Sequence, residues 1–270
     1  RPAALGRGRL LALAAVLGPG LLAGLSDDDP AGITTYSLLG AEYGYQLLWV
    51  LTLSTVALIV FHEIAMRLGV VTGKGLQTLM RERFGSRTAR LMLAVLVVAN
   101  TGTLCAEFAA GMNLLAGTSA YVSVPVAAIA VGFLVLRGGF RRIEHVLLAL
   151  SAVFLTYLVA GFIAGPDWGA AAKGAVVPTI PLDRDAIYIA VATLGTTLAP
   201  WGLAFMQSYA VDKGIEPKDL RYERVDVLVG AVLTGVIGAF IVVTCAATLH
   251  AQGITINDAS DSAAALEPVA

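Results

Sequence analysis

The chain has 270 residues, 57% of them hydrophobic and 14% charged, with a net charge of −1 at pH 7. That balance is too apolar for an ordinary soluble domain and the chain is too long for a single anchor, so it implies several membrane spans. Near-neutral charge, with no basic stripe carrying interleaved aromatics, excludes a nucleic-acid partner.

A helix crossing about 30 Å of hydrocarbon needs about 20 apolar residues. Seven segments qualify in one transmembrane domain, roughly 10–39, 46–66, 89–117, 119–136, 143–164, 186–210 and 225–249. The apolar run from Leu10 lacks a small-residue cleavage site before the acidic stretch at Asp27, which does not fit a secretory leader. The first residue is Arg1, and the tail from Gly253 reads as a loop entering a further helix, so the sequence reads as a fragment. Cys105 and Cys245 lie in apolar segments, where cysteine acts as a small hydrophobe.

Orientation follows from the basic residues, because short loops rich in Lys and Arg stay in the cytoplasm. Arg1, Arg7 and Arg9 precede the first segment; Arg67 to Arg90 separate the second from the third; Arg137, Arg141 and Arg142 follow the fourth; Lys213 to Arg224 follow the sixth. Of the 18 Lys and Arg residues, 16 fall on that side, which leaves Lys173 and Arg184 opposite. The amino terminus is expected in the cytoplasm, and the setting is expected to be a bacterial inner membrane.

Two segments carry their punctuation at membrane depth. The first contains "LSDDDPAG" with Asp29-Pro30, and the sixth contains "LGTTLAPWGLAF" with Pro200 between Gly195 and Gly202. Proline removes a backbone donor and clashes with the preceding turn, so both helices should unwind there. Unwound backbone at that depth survives where it is buried in protein or lines a wet cavity, as in the central sites of many secondary transporters. An aspartate in such a break is a functional residue by default. Asp29, which directly precedes the proline, is therefore the expected charged ligand, whereas Asp27 and Asp28 are expected to be solvated.

These stretches, together with "LGPGLLAGLSDDDPAG", "GAEYGYQLLWV", "RLGVVTGKGL", "NLLAG" and "PDW", resemble the natural resistance-associated macrophage protein (Nramp) family of divalent metal transporters. The resemblance runs along nearly the whole chain. It implies an all-α polytopic protein with the inverted-repeat fold of amino-acid-type (LeuT-type) secondary transporters, with helices 1 and 6 broken. This chain would supply the first seven of about eleven helices. It also implies that the metal is held by Asp29, by the backbone around Ala31, Gly32, Thr196 and Ala199, and by no resident cofactor.

The departures from the family pattern bear on the ion. Where the family has Asp-Pro-Gly-Asn this chain has Asp29-Pro30-Ala31-Gly32, and where it has Met-Pro-His this chain has Ala199-Pro200-Trp201. A thioether selects soft ions over magnesium and calcium, and Ala199 cannot exert that selection. Magnesium takes oxygen ligands and keeps several waters, which the smaller side chains would accommodate. The pattern is similar to the Nramp-related magnesium transporters, so the expectation is import of partly hydrated magnesium, and also of manganese. Trp201 cannot carry a proton, and Met206 stands where a second histidine is frequent, so uptake is expected without proton coupling. Two charges moving down 100 mV gain about 4.6 kcal/mol, enough to drive accumulation. The alternative is a proton-coupled manganese or iron transporter, whose soft ligand would come from elsewhere. A third reading is a nontransporting membrane sensor or scaffold. An organic-substrate symporter fits less well, because Asp29 stands where small residues would bind a carboxylate. No nucleophile with an adjacent base is visible, so no enzyme activity is expected.

Other groups are expected around the site. Glu107 lies midway along the third helix and would hold a metal-bound water, or serve as a structural carboxylate. Thr197 would hold water or bond its own backbone. Gln207 would reach the hydration shell or pack between helices, and Met206 would pack. His62 and Glu63 are read as interfacial and structural, near the cytoplasmic end of the second helix. Glu42 would collect cations at the outer entrance.

Overall fold

The computed structural model describes residues 28–113, 120–137, 154–181, 183–254 and 256. Among them every regular element is a helix. Residues 10–27 of the first expected helix, Asp27 among them, and residues 143–153 of the fifth segment lie outside the described residues.

Helix α1 (Pro30–Tyr43) begins at the predicted break. Pro30 occupies its first turn, where the missing N–H is no loss, and Asp29 caps it in an extended conformation. Gly44, at φ 57°, ends it. Helix α2 (Leu48–Thr72) runs six residues past the expected 46–66 and stops at Gly73, which adopts the left-handed conformation with φ 63°.

Helix α3 (Leu76–Asn113) starts earlier than expected and is bent at Gly85, where φ 87° and ψ 167° interrupt the helical path. The short arm before the bend carries Arg81, Glu82 and Arg83, and Lys74 Nζ pairs with Glu82 at 2.7 Å. Helix α4 (Ala120–Arg137) is close to the expected 119–136. Of the fifth segment the described part is α5 (Leu155–Ile163).

A helix absent from the sequence reading follows, α6 (Trp168–Val176). Asp167 starts it by accepting the Ala170 N–H at 2.9 Å. The expected sixth segment is two helices, α7 (Arg184–Thr197) and α8 (Pro200–Asp212), separated at Leu198 and Ala199. Helix α9 (Leu220–Cys245) continues through a π-helical turn, Ala246–His250.

Helices α1, α2, α7, α8 and α9 pack on one another, with α3 against α1 and α8, and α4 carried chiefly by α3. One core gathers Tyr36, Leu39, Leu51, Ile237 and Ile241 from α1, α2 and α9. A second gathers Met66, Val70, Met206, Ala210 and Val227 between α2, α8 and α9. Small residues allow close approach: a Cβ on Gly69 would lie 2.6 Å from the Gln207 carbonyl oxygen, and one on Gly40 would strike the Val242 carbonyl.

The outer surface is the inverse of a soluble protein's. Val98 is 73% exposed and Leu136 86%, within a broad apolar belt on α3 and α4. Water would oppose that belt, whereas hydrocarbon accepts it. Among the described residues four helical stretches, Leu48–Thr72, Leu76–Phe108, Arg184–Asp212 and Leu220–His250, are long and apolar enough to cross a membrane.

Candidate metal site at the helix breaks

The first break is organised by Asp29. Its Oδ1 accepts the Gly32 N–H at 2.6 Å, satisfying one of the donors that a helix start leaves open. The Asp29 carbonyl accepts from Ile33 N at 2.8 Å. Glu107, from α3, reaches across to Asp29 and to the backbone of Ala31, and its Oε1 is buried without a hydrogen-bond partner among the described residues. Two carboxylates from different helices therefore face each other at the start of α1. Asp28 is fully buried, contrary to the expectation of a solvated side chain.

The carbonyls expected to line this break are engaged. Thr35 donates to the Ala31 carbonyl at 2.8 Å and Thr34 to that of Pro30 at 2.8 Å, and Gly32 contributes its N–H to the cap. Ala31 and Gly32 are thus inside an intact helix, so the expectation that their backbone is unwound is corrected.

At the second break, Leu198 N makes the last helical bond, to Leu194 O at 2.9 Å. The next donor in the register would be residue 199, then residue 200, which is proline. Pro200 has no N–H, so the Thr196 carbonyl is left without its helical donor. The Ala199 carbonyl accepts from Gly202 N at 3.1 Å as α8 begins. Trp201 is half-buried in that first turn.

Two residues expected near the ion, Thr197 and Gln207, make contacts within the protein. The Thr197 hydroxyl donates to the Thr193 carbonyl at 2.8 Å, and Tyr36 OH lies 3.1 Å from Thr197 Oγ1, a bond that ties α1 to α7. Thr197 is 1% exposed and faces that contact. Gln207 donates from Nε2 to the Lys74 carbonyl at 2.9 Å, so it locks α8 to the end of α2 and packing accounts for it. Met206 is buried in the second core, as expected.

His62 stands apart from its expectation. It is 2% exposed, and its Nε2 lies 3.2 Å from where a Cβ on Gly202 would be. It faces the second break and not the end of α2, and its burial is invisible to a sequence pattern because it depends on α8 arriving alongside. Glu63, one residue on, pairs with Arg224 of α9 at 2.7 Å. Glu42 is exposed, and the carboxyls of Asp185 and Asp183 act on it. Tyr43 OH donates to Asp183 Oδ1 at 3.1 Å. Among the described residues no three His, Cys, Asp or Glu side chains come together as a metal cluster, so a cation at the breaks would take backbone oxygens or water besides carboxylate.

Comparison with known proteins agrees with this architecture. The divalent metal cation transporter MntH of Burkholderia ambifaria is 33% identical over 97% of this chain and 63% of its own length. MntH of Bacillus subtilis is 29% identical, covering 90% of this chain and 60% of its own. The chain thus spans about six tenths of the relatives it matches. A crystal structure of the Eremococcus coleocola manganese transporter, in complex with an aromatic bis-isothiourea substituted compound, superposes with a TM-score of 0.77 at 21% identity, covering 98% of this chain and 61% of that one. The fold is therefore the broken-helix transporter fold that the two prolines imply. The family described as natural resistance-associated macrophage protein-like matches residues 20–270, and the chain belongs to the Nramp family.

Proposed function

We propose that this chain forms the ion-binding part of a divalent-cation transporter, with Asp29 as the charged ligand, Glu107 as its partner and the Thr196 carbonyl as a backbone oxygen. The observation that carries the reading is the pair of carboxylates at the first break. Two facing carboxylates repel when both are ionised, and either a divalent cation or a shared proton relieves the repulsion. Ion and proton then compete for one pair, which couples them without the histidine that Trp201 replaces.

That competition, and relatives named as divalent metal cation and manganese transporters, support the proton-coupled manganese or iron reading over uncoupled magnesium uptake. The magnesium reading keeps one specific support, the oxygen-only chemistry of Asp29, Glu107 and backbone next to Ala199. Alternating access would move α1, α7 and α8 against α3 and α4. The excess of Lys and Arg on one side supports a cytoplasmic amino terminus, and the bacterial relatives support an inner membrane.

The test is uptake by the full-length protein in proteoliposomes, magnesium against manganese, with an internal pH dye. Manganese flux with acidification, lost in Asp29→Asn, is expected. Magnesium flux without acidification would restore the uncoupled reading, and flux of neither ion would favour a sensor.

A further inference from the structure

Soft-donor chemistry is missing from the sixth-helix break, where Ala199 and Trp201 offer neither sulfur nor imidazole. The fold places an imidazole beside it from another helix. His62, in the middle of α2, is 98% removed from solvent, since its exposure is 2%. Its Nδ1 is buried with no hydrogen-bond partner among the described residues. A buried polar atom without a partner is rare enough to require a cause, such as a ligand that is not always present.

The ring's other nitrogen faces the first turn of α8. Nε2 is pressed against Gly202, at 3.2 Å from the position of a Cβ. Gly202 lies three residues beyond Ala199 in the first turn of α8, a rise of about 4.5 Å. A larger residue at 202 would occupy the space that the ring fills. The imidazole therefore lies within about one helical turn of the break.

We propose that His62 is a specificity-determining residue, an imidazole ligand that takes a first-row transition-metal ion as it leaves the sixth-helix break. Imidazole suits such ions, whereas magnesium and calcium hold to oxygen. This rests on the transport reading above and extends it, because the nitrogen donor comes from α2 and not from the broken helix itself.

The experiment is pulsed electron paramagnetic resonance of manganese bound to the full-length protein in lipid nanodiscs, with and without ¹⁵N-histidine. The expected result is a nitrogen modulation in the wild type that changes isotope pattern on labelling and disappears in His62→Gln. That variant should bind manganese about tenfold more weakly, with magnesium competition unchanged. Gly202→Ala, which displaces the ring without removing it, should reduce the same modulation. Bound manganese with no histidine nitrogen coupling, or coupling that survives His62→Gln, would overturn the role of His62 and leave the transport reading standing. Failure of the wild type to bind manganese at all would overturn both.

Discussion

Substituting Asp29 separates two roles that one carboxylate performs. Its Oδ1 caps α1 through the Gly32 N–H at 2.6 Å, while its charge faces Glu107. Asparagine caps a helix about as well as aspartate, whereas alanine forfeits about 1 kcal/mol. Asp29→Asn should therefore keep the wild-type melting temperature, and Asp29→Ala should lower it by about 2–4 °C. The charge is a separate matter. Removing one partner from a desolvated ionic contact costs about 3–5 kcal/mol, which weakens manganese binding by at least about 100-fold at 1.4 kcal/mol per decade. Both variants should lose manganese binding alike, and the alanine variant alone should lose stability. Thermal unfolding in detergent and calorimetric titration of manganese read the two effects independently. An asparagine variant that binds manganese as tightly as the wild type would reduce Asp29 to a helix cap and refute the assignment of the site.

Further outcomes follow from single contacts. Gly40→Ala directs a methyl at the Val242 backbone carbonyl, which cannot rotate away, so it should cost about 1–3 kcal/mol. Gly132→Ala on α4 meets nothing within 4 Å and should gain up to about 1 kcal/mol from helix propensity; unfolding of the two side by side checks the pair. Tyr36→Phe removes the bond from α1 to Thr197 and should cost about 1 kcal/mol, with slowed manganese uptake as the functional readout. Burial, and then the Asp185 and Asp183 carboxyls, hold the Glu42 carboxyl above its usual 4.5. A carboxyl raised by folding binds its proton more tightly in the folded state, so its contribution is present at low pH and lost as pH rises from 4.5 through the folded value. Glu42→Gln should thus stabilise the fold more at pH 7 than at pH 4, by no more than about 0.5 kcal/mol at this exposed, solvent-screened position, read as a higher melting temperature at pH 7.

What the sequence made legible is what proline and aspartate dictate locally. Asp29-Pro30 and Pro200 mark both breaks because a missing N–H is a property of one residue, and the structure starts α1 and α8 at those prolines. Helix α6 escaped because its nine residues fall far short of a span, although Asp167 as an N-cap before Trp168 was a usable signal. The arm of α3 before Gly85 read as a loop because Arg81, Glu82 and Arg83 interrupt any apolar run. The engagement of Gln207 with Lys74 and of Thr197 with Tyr36 joins residues 133 and 161 positions apart. No periodicity within one helix carries that information. Asp28 misled for the same reason, since charge argues for water and its burial is set by the packed fold.

The ion preference shows most clearly what a motif can and cannot establish. Comparing Ala199-Pro200-Trp201 with the family's Met-Pro-His counts the donors lost from one helix and reads the site as harder by that count. A site between helices is a sum over all of them. Glu107 arrives from α3 and His62 from α2, and neither position belongs to the motif. In the proposed site the carboxylate would restore a group that can hold a proton, and the imidazole a donor of intermediate softness. Losing the sixth-helix side chains would then not remove the chemistry they supplied. The donors would be redistributed onto elements that alternating access would move differently. A transporter built this way should bind its ion tightly only while α2 and α8 keep His62 against Gly202, so the contact at Gly202 would set ion release as well as ion choice.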